Sequence, residues 1–371
     1  MKRRNLLSSL GVAVAATALI GCSKPESTQT TSAEPATPVV QETIEWKLVT
    51  SWPKNFPGLG MAPERFVESV NKMSNGRLNI KVFGGGEIVP PLEVFDAVSN
   101  GTAQMGHSGA YYWKGKAPAT QFFTSVPYGL NAQEISSWIH YGGGQELWDE
   151  LYKPFGLKPM AGGNSGVQMA GWFNKEINTL DDLKGLKMRI PGMGGEVLKR
   201  LGGVPVNIPG GELFTALQTG AIDATEWVGP YNDLAFGLYK AASYYYYPGW
   251  HEPGSMMEFT INLDAWNALP EDLQAIVKSA ARAANQDMID EYTARNNSAL
   301  QQLITEHGVQ VKRLPNEVLA ELKKVADEVT LEVAATSEIA GKVYESFNAF
   351  REQSKAYHKI SEVAFYEARD L

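Results

Sequence analysis

Glu226 and Trp227 stand side by side in ATEWVGPYND, after the helix-to-strand run FTALQTGAID and before a Gly-Pro break. A carboxylate and an indole at a strand end suit four roles: catalytic acid, metal ligand, wall of a ligand pocket, or ordinary turn. Three more polar residues lie by predicted strand ends: Gln168 in NSGVQMAGWF, Arg189 in LKMRI just before Pro191, and Glu252 in YYYYPGWHEPG. In open α/β sheets, ligands gather beyond the carboxyl ends of strands. Arginine's planar fork holds both oxygens of a carboxylate. Carboxylates with amide and backbone oxygens suit a hard cation such as Na⁺ or Ca²⁺. A cation beside an arginine lets one small organic acid be gripped at its carboxylate and at a neighbouring oxygen. Each residue also has a plainer role open to it. Arg189 suits a surface ion pair, and Gln168 a strand edge. Glu226 and Glu252 suit solvated or paired positions, and Trp227, Trp250 and Trp172 the core.

Enzyme signatures fail when checked. His251-Glu252 is followed by Pro-Gly, so no HExxH exists. GNSGV and GHSGA carry Ser165 and Ser108 but do not fit the nucleophile-elbow spacing. IPGMGGEVLKRLGG resembles a phosphate loop, yet Val197 occupies the last glycine position and no Walker lysine follows. The five histidines are scattered without metal-ligand spacing. No catalytic residue is assigned.

The elements that must position these residues alternate. TIEWKLVTSW predicts a strand from Ile44 to Trp52, APERFVESVNKMSNG a helix stopped at Asn75-Gly76, and RLNIKVFG a second strand. PPLEVFDAVSNG predicts a helix that starts at proline and ends at glycine. This alternation indicates an α/β sheet with helices on its faces. FDAVSNGTAQMG (Phe95 to Gly106) is echoed by FTALQTGAIDAT (Phe214 to Thr225), with Phe, Ala, a branched aliphatic and Gly in step. LNIKVFGGGEIVPPLEVF and GGVPVNIPGGELF extend the echo upstream, which indicates two lobes of like topology. From Glu271 to His307 the pattern is helical, VQVKRL is a short strand, and helix dominates from about Asn316 to Asp370. The last segment carries Tyr344, Phe347, Phe350, Tyr357, Phe365 and Tyr366. So aromatic a helix packs on something: the two lobes, or a second copy of the chain.

The chain ends and composition narrow the setting. MKRRNLLSSLGVAVAATALIGC has a basic start and a short apolar run, the layout of a secretion signal rather than a membrane span. LIGC resembles a bacterial lipobox with Cys22 as the acylated first residue, and KRRNLL resembles a twin-arginine signal. Residues 23–42 are rich in Ser, Thr, Pro, Ala, Gln and Glu and read as a flexible tether. One cysteine leaves no internal disulfide, so stability must come from burial. A net charge of -8 argues against nucleic acid as a partner.

The segments GLKMRIPG, TGAIDATEWVGPYND, YYYYPGWHEPG and GGGEIVPPLEVFDAVSNGTAQMGHS together resemble the extracytoplasmic solute-binding subunits of TRAP transporters. The resemblance runs from about Glu45 to the C-terminus and is strongest to the group that binds 2-oxo acids such as pyruvate, or lactate, with a metal ion. It implies an α/β, two-lobed periplasmic-binding-protein fold with a hinge, a long lobe-spanning helix and a helical C-terminal tail. It implies the following division: 1–22 signal peptide, 23–42 tether, 43–165 lobe 1 completed by about 255–315, 166–254 lobe 2, and 316–371 the tail. Arg189 would take the substrate carboxylate. Gln168 would touch ligand and cation. Glu226, the Trp227 carbonyl and Glu252 would hold the cation, Na⁺ or Ca²⁺, with no organic cofactor. The partners implied are a small carboxylate, the TRAP membrane permease and a second copy exchanging the C-terminal helix. The location implied is the periplasm; lipid anchoring through Cys22 is the expectation of LIGC alone, and it departs from the commonest, freely soluble pattern of the family. Sugar acids, dicarboxylates, an enzyme acting on a 2-oxo acid, and a subunit of another transporter or sensor stay open as alternatives.

Overall fold

The computed structural model describes residues 43–371. Cys22, the signal peptide and the tether lie outside the described residues. The chain opens with strand β1 (Ile44–Thr50), helix α1 (Met61–Met73), β2 (Leu78–Phe83), α2 (Val94–Ser99) and β3 (Met105–Ser108). Phe66 and Val70, one helical turn apart, bury the inner face of α1. The helix stops where Asn75 and Gly76 take φ of 52° and 75°. β1 ends two residues earlier than its composition suggests. α2 begins at Val94 rather than at the prolines, which lie in the preceding turn. Helices α3 (Ala132–Tyr141) and α4 (Gly144–Tyr152) and strand β4 (Leu157–Asn164) follow. A capping box between Asn131 and Glu134 starts α3.

The next run contains β5 (Gly171–Phe173), β6 (Lys187–Arg189), α5 (Gly192–Arg200), β7 (Val204–Val206), α6 (Leu213–Gln218), β8 (Ala224–Thr225), α7 (Pro230–Phe236) and β9 (Tyr244–Tyr247). β10 (Met256–Asn262), α8 (Leu263–Asn267) and the 35-residue α9 (Glu271–Thr305) come next. β11 (Gln310–Arg313), α10 (Asn316–Ala334), α11 (Glu338–His358) and α12 (Glu362–Arg369) complete the chain.

The strands form two sheets, ordered β2-β1-β3-β10-β4 and β11-β9-β5-β8-β6-β7. In the first, β1 runs parallel to β2 and β3, and β10 lies antiparallel beyond β3. In the second, β6 runs parallel to β7 and β8, and β5 lies antiparallel beyond β8. The echoed segments therefore occupy equivalent places, α2-β3 in one sheet and α6-β8 in the other. Their shared glycines, Gly101 and Gly220, have φ of 80° and 73°, a conformation that side chains resist. The echo is a backbone requirement as well as a repeated topology.

The chain passes from the first sheet to the second between β4 and β5, returns between β9 and β10, and passes across again along α9 to β11, so β11 (Gln310–Arg313) joins the second sheet instead of completing lobe 1. α9 packs on β4 and α1 of one lobe and on α7 of the other. At 1.5 Å per residue it spans about 50 Å. The aromatic tail divides its packing. Tyr344, Phe347 and Phe350 of α11 join the large core beside Phe122 and Trp138. Beyond a break at 359–361, α12 has no buried residue, and its Phe365 and Tyr366 are 60% and 52% exposed; Tyr357, near the end of α11, is 63% exposed.

Candidate functional site

Strand register brings the first two residues together. β6 and β8 are parallel neighbours with Arg189 opposite Thr225, so Glu226 emerges just past the strand end beside Arg189. The Glu226 amide donates to the Arg189 carbonyl at 3.2 Å. Their side chains form a buried ion pair, Arg189 Nη1 donating to Glu226 Oε1, with exposures of 1% and 0%. Neither is the surface residue that its type alone suggests. Arg189 Nη2 also donates to the Tyr112 hydroxyl at 3.1 Å, and Nε to the Ile208 carbonyl at 3.3 Å. The guanidinium carbon lies 5.1 Å from the Trp227 ring centroid. Burial works against the charge on Arg189. The Glu226 carboxylate, with smaller help from Tyr112, Tyr111 and Glu252, outweighs it and holds the pKa above its ordinary value.

Gln168 and Glu252 lie on two of the three segments that cross between the sheets, and backbone hydrogen bonds stitch these two together. Gln168 N–H donates to the Glu252 carbonyl at 3.1 Å, and Gly249 N–H donates to the Gln168 carbonyl at 3.0 Å. Met169 N–H donates to the Val228 carbonyl at 3.1 Å, fastening the same segment to the turn after β8. Gln168 Nε2 donates to Ser165 Oγ at 3.0 Å and Ser255 Oγ at 3.2 Å, and Ser255 Oγ donates to Glu252 Oε2. Burial, and next the neighbouring Glu226 charge, push the Glu252 carboxyl up. His251, Ser255 and Arg189 offset part of that shift.

All five sequence-selected residues, Gln168, Arg189, Glu226, Trp227 and Glu252, are buried and drawn toward one region. Two residues passed over in the sequence join them. His251 stands with Glu226 and Glu252 such that one ligand atom from each lies within 4.8 Å of the others, and its Nε2 is 3.5 Å from Glu226 Oε2. The scattered-histidine argument missed this, because the three ligand atoms come from two different loops. The adjacent His-Glu at a strand end was the available signal. Tyr112 reaches Arg189 from a short 3-10 turn, Ala110–Trp113, in the other lobe. A tyrosine among tyrosines carried no signal in sequence.

Several polar atoms here have no hydrogen-bond partner among the described residues. Gln168 Oε1, Glu226 Oε2 and both ring nitrogens of His251 are enclosed without a hydrogen bond. A buried acceptor left bare costs about 1–3 kcal/mol. The oxygens among them are the hard donors that Na⁺ or Ca²⁺ takes, so the residues present fit such a cation. Adjoining the site through Tyr112, a half-open pocket of about 540 Å³ is lined by Tyr111, Tyr112 and Lys114 and by Ile190, Gly192 and Pro205. Lys114 Nζ closes over it onto the Gly192 carbonyl at 3.2 Å.

Two similar sheets, a helix common to both and a polar site sealed where they meet define a solute-binding protein of the two-lobed type. The sequence matches the family model of bacterial extracellular solute-binding protein family 7 (DctP) over residues 48–337. The chain belongs to that family, the solute-binding subunits of TRAP transporters. It is 43% identical over 365 residues to the monocarboxylate 2-oxoacid-binding periplasmic protein of Nostoc sp., covering 98% of each chain. A TRAP periplasmic solute-binding protein of Pseudoalteromonas atlantica, solved with bound sodium and pyruvate, is 44% identical. It superimposes with a TM-score of 0.85, covering 88% of this chain and 99% of that one. A TRAP solute-binding protein of Bordetella bronchiseptica is 38% identical, with a TM-score of 0.87 over 88% of this chain and 97% of that one. It was solved as a mixed-occupancy dimer with copurified calcium and picolinate in its active site. Family membership makes the chain a binding protein rather than an enzyme.

Proposed function

We propose that this chain captures a small monocarboxylate 2-oxo acid, pyruvate being the type, together with Na⁺ or Ca²⁺, and delivers it to a TRAP membrane permease. The observation that carries this reading is the buried Arg189 sealed beside Glu226, with the bare oxygens of Gln168 and Glu226 close by. Arg189 binds the carboxylate of the acid through N–H groups its present partners do not use. Gln168 Oε1, Glu226, the Trp227 carbonyl and Glu252 hold the cation, and Gln168 also meets the substrate. The cation supplies positive charge for the 2-oxo oxygen of the acid. Tyr112 orients the guanidinium, and the Trp227 ring walls the pocket. Sodium with pyruvate in one relative and calcium with picolinate in another support this pairing.

Two features complete the reading. Cys22 is the acylated anchor of the mature chain on a membrane facing the periplasm, as its LIGC context suggests. The exposed apolar side chains of α12 serve contact with a second copy, which the dimeric Bordetella relative supports.

Calorimetric titration of pyruvate into wild type and Arg189→Ala, each with NaCl or CaCl₂, tests the central reading. Wild type binds only with a cation, and Arg189→Ala weakens binding at least a hundredfold. Undiminished affinity in the variant would sink the role of Arg189. A panel of lactate, sugar acids and dicarboxylates ranks the acids by the same measurement.

A further inference from the structure

Asp233, on the first turn of α7, is 1% exposed and has no Lys, Arg or His within ion-pair distance among the described residues. Three neutral donors share its carboxylate. Oδ2 accepts from Trp172 Nε1 at 3.0 Å and from the Tyr245 hydroxyl at 2.6 Å. Oδ1 accepts from the Val228 amide at 3.3 Å. Trp172 and Tyr245 are stacked core rings on β5 and β9, centroids 4.1 Å apart, so the carboxylate is held from below by rigid elements. A carboxylate buried without a cation is costly.

Val228 N–H belongs to the same planar peptide as the Trp227 carbonyl. In a trans peptide these two groups point in opposite directions. Pinning the N–H on Asp233 therefore aims the Trp227 oxygen away from α7. The far side of Val228 is fixed too, by the Met169 amide beside Gln168. No donor among the described residues is hydrogen-bonded to the Trp227 oxygen. An acceptor on the N–H of an amide also draws negative charge onto its oxygen, since hydrogen-bonded groups polarise one another in a low-dielectric interior.

We propose that Asp233 is a positioning residue for the cation site, orienting and polarising the Trp227–Val228 peptide so that the Trp227 carbonyl serves as a ligand. The inference rests on the cation-and-acid reading above and adds a residue that touches neither. Second-layer groups of this kind commonly control affinity as strongly as the ligands themselves.

Asp233→Asn isolates the contact. Its single amide oxygen still accepts from Trp172 and Tyr245, which leaves an NH₂ facing the Val228 N–H. The full mature chain is titrated with CaCl₂, and separately with NaCl, while its melting temperature is followed. The expected result is a half-saturating cation concentration raised at least tenfold in Asp233→Asn. Tyr245→Phe lowers the melting temperature but changes that midpoint less than threefold. A wild-type midpoint in Asp233→Asn, or an equal shift in Tyr245→Phe, would overturn the positioning role alone. A wild type whose melting ignores both salts would overturn the cation reading and this inference with it. Should Asp233→Asn fail to fold, the Val228 amide proton of the wild type, followed by NMR, decides. It moves on CaCl₂ addition when the carbonyl of its own peptide is loaded, and its standing still would refute the proposal.

Discussion

The buried pair Arg189–Glu226 makes a quantitative demand on stability. Both side chains are shut away from water, at 1% and 0% exposure. Removing one partner of such a pair leaves a bare buried charge and costs about 3–5 kcal/mol, whereas replacing both with neutral groups is neutral or stabilising. In Arg189→Met, the Glu226 carboxylate is left without its guanidinium, and the lower end, about 3 kcal/mol, is taken as the minimum cost. In Glu226→Gln, Arg189 keeps Tyr112, the Ile208 carbonyl, the backbone carbonyl of residue 226 and the amide oxygen of Gln, none of them a full negative charge. For a chain of this size, 1 kcal/mol moves the melting temperature by roughly 2 °C. Each single variant, without ligand, should therefore melt about 6 °C low, and the double variant within about 2 °C of wild type. The double variant stays unable to bind pyruvate, because the anchor for the carboxylate is gone. Thermal melts of the four proteins, with pyruvate titrations beside them, measure this. Additivity of the singles to within about 0.5 kcal/mol would refute the claim that the pair is one electrostatic unit.

Three further outcomes follow. Glu258, held by Trp113 Nε1 and the Tyr152 hydroxyl, is pushed up by burial from 4.5 to about 7. The native state thus keeps a proton that the unfolded chain releases, and stability falls as pH rises from about 4.5 to 7. Glu258→Gln should flatten this part of the melting-versus-pH curve relative to wild type, a difference of roughly 3 kcal/mol over that range; parallel curves would refute it. Saturating pyruvate with cation at a hundred times its Kd should stabilise the wild type by about 2.7 kcal/mol, read as a melting shift that either component alone does not reach. Truncation after His358 should leave the melting temperature within about 2 °C, since no residue of α12 is buried. Light scattering should then report reduced self-association, and an unchanged mass distribution would remove α12 from the interface.

Much of the architecture was legible because its signals are local. The alternation of β1, α1, β2 and α2 follows residue pattern and turn chemistry. The FDAVSNG and FTALQTG echo is visible because both copies need a left-handed glycine at one place. Arg189 and Glu226 were chosen as strand-end residues, but nothing local says that β6 and β8 are neighbours with Arg189 opposite Thr225. Their pairing is a product of sheet order. Tyr112 escaped for the same reason, since it reaches Arg189 from another lobe. The break between α11 and α12 was hidden differently. Lys359-Ile360-Ser361 contains no glycine or proline, and the Ser361 hydroxyl turns back onto the Tyr357 carbonyl at 3.0 Å.

Two of the three crossings between the sheets, the short ones, also carry Gln168 and Glu252, and the third is α9 itself. Lobes that rotate must flex these segments, because α9 lies against both lobes as a long strut. Recognition and mechanics are thus written into the same few residues. If Gln168 meets the acid as proposed, a mutation that retunes which acid fits there also alters how stiffly the lobes swing. Affinity and closing rate in this protein are therefore not independent quantities for selection. A lineage shifting to a new substrate here inherits a new transport tempo with it.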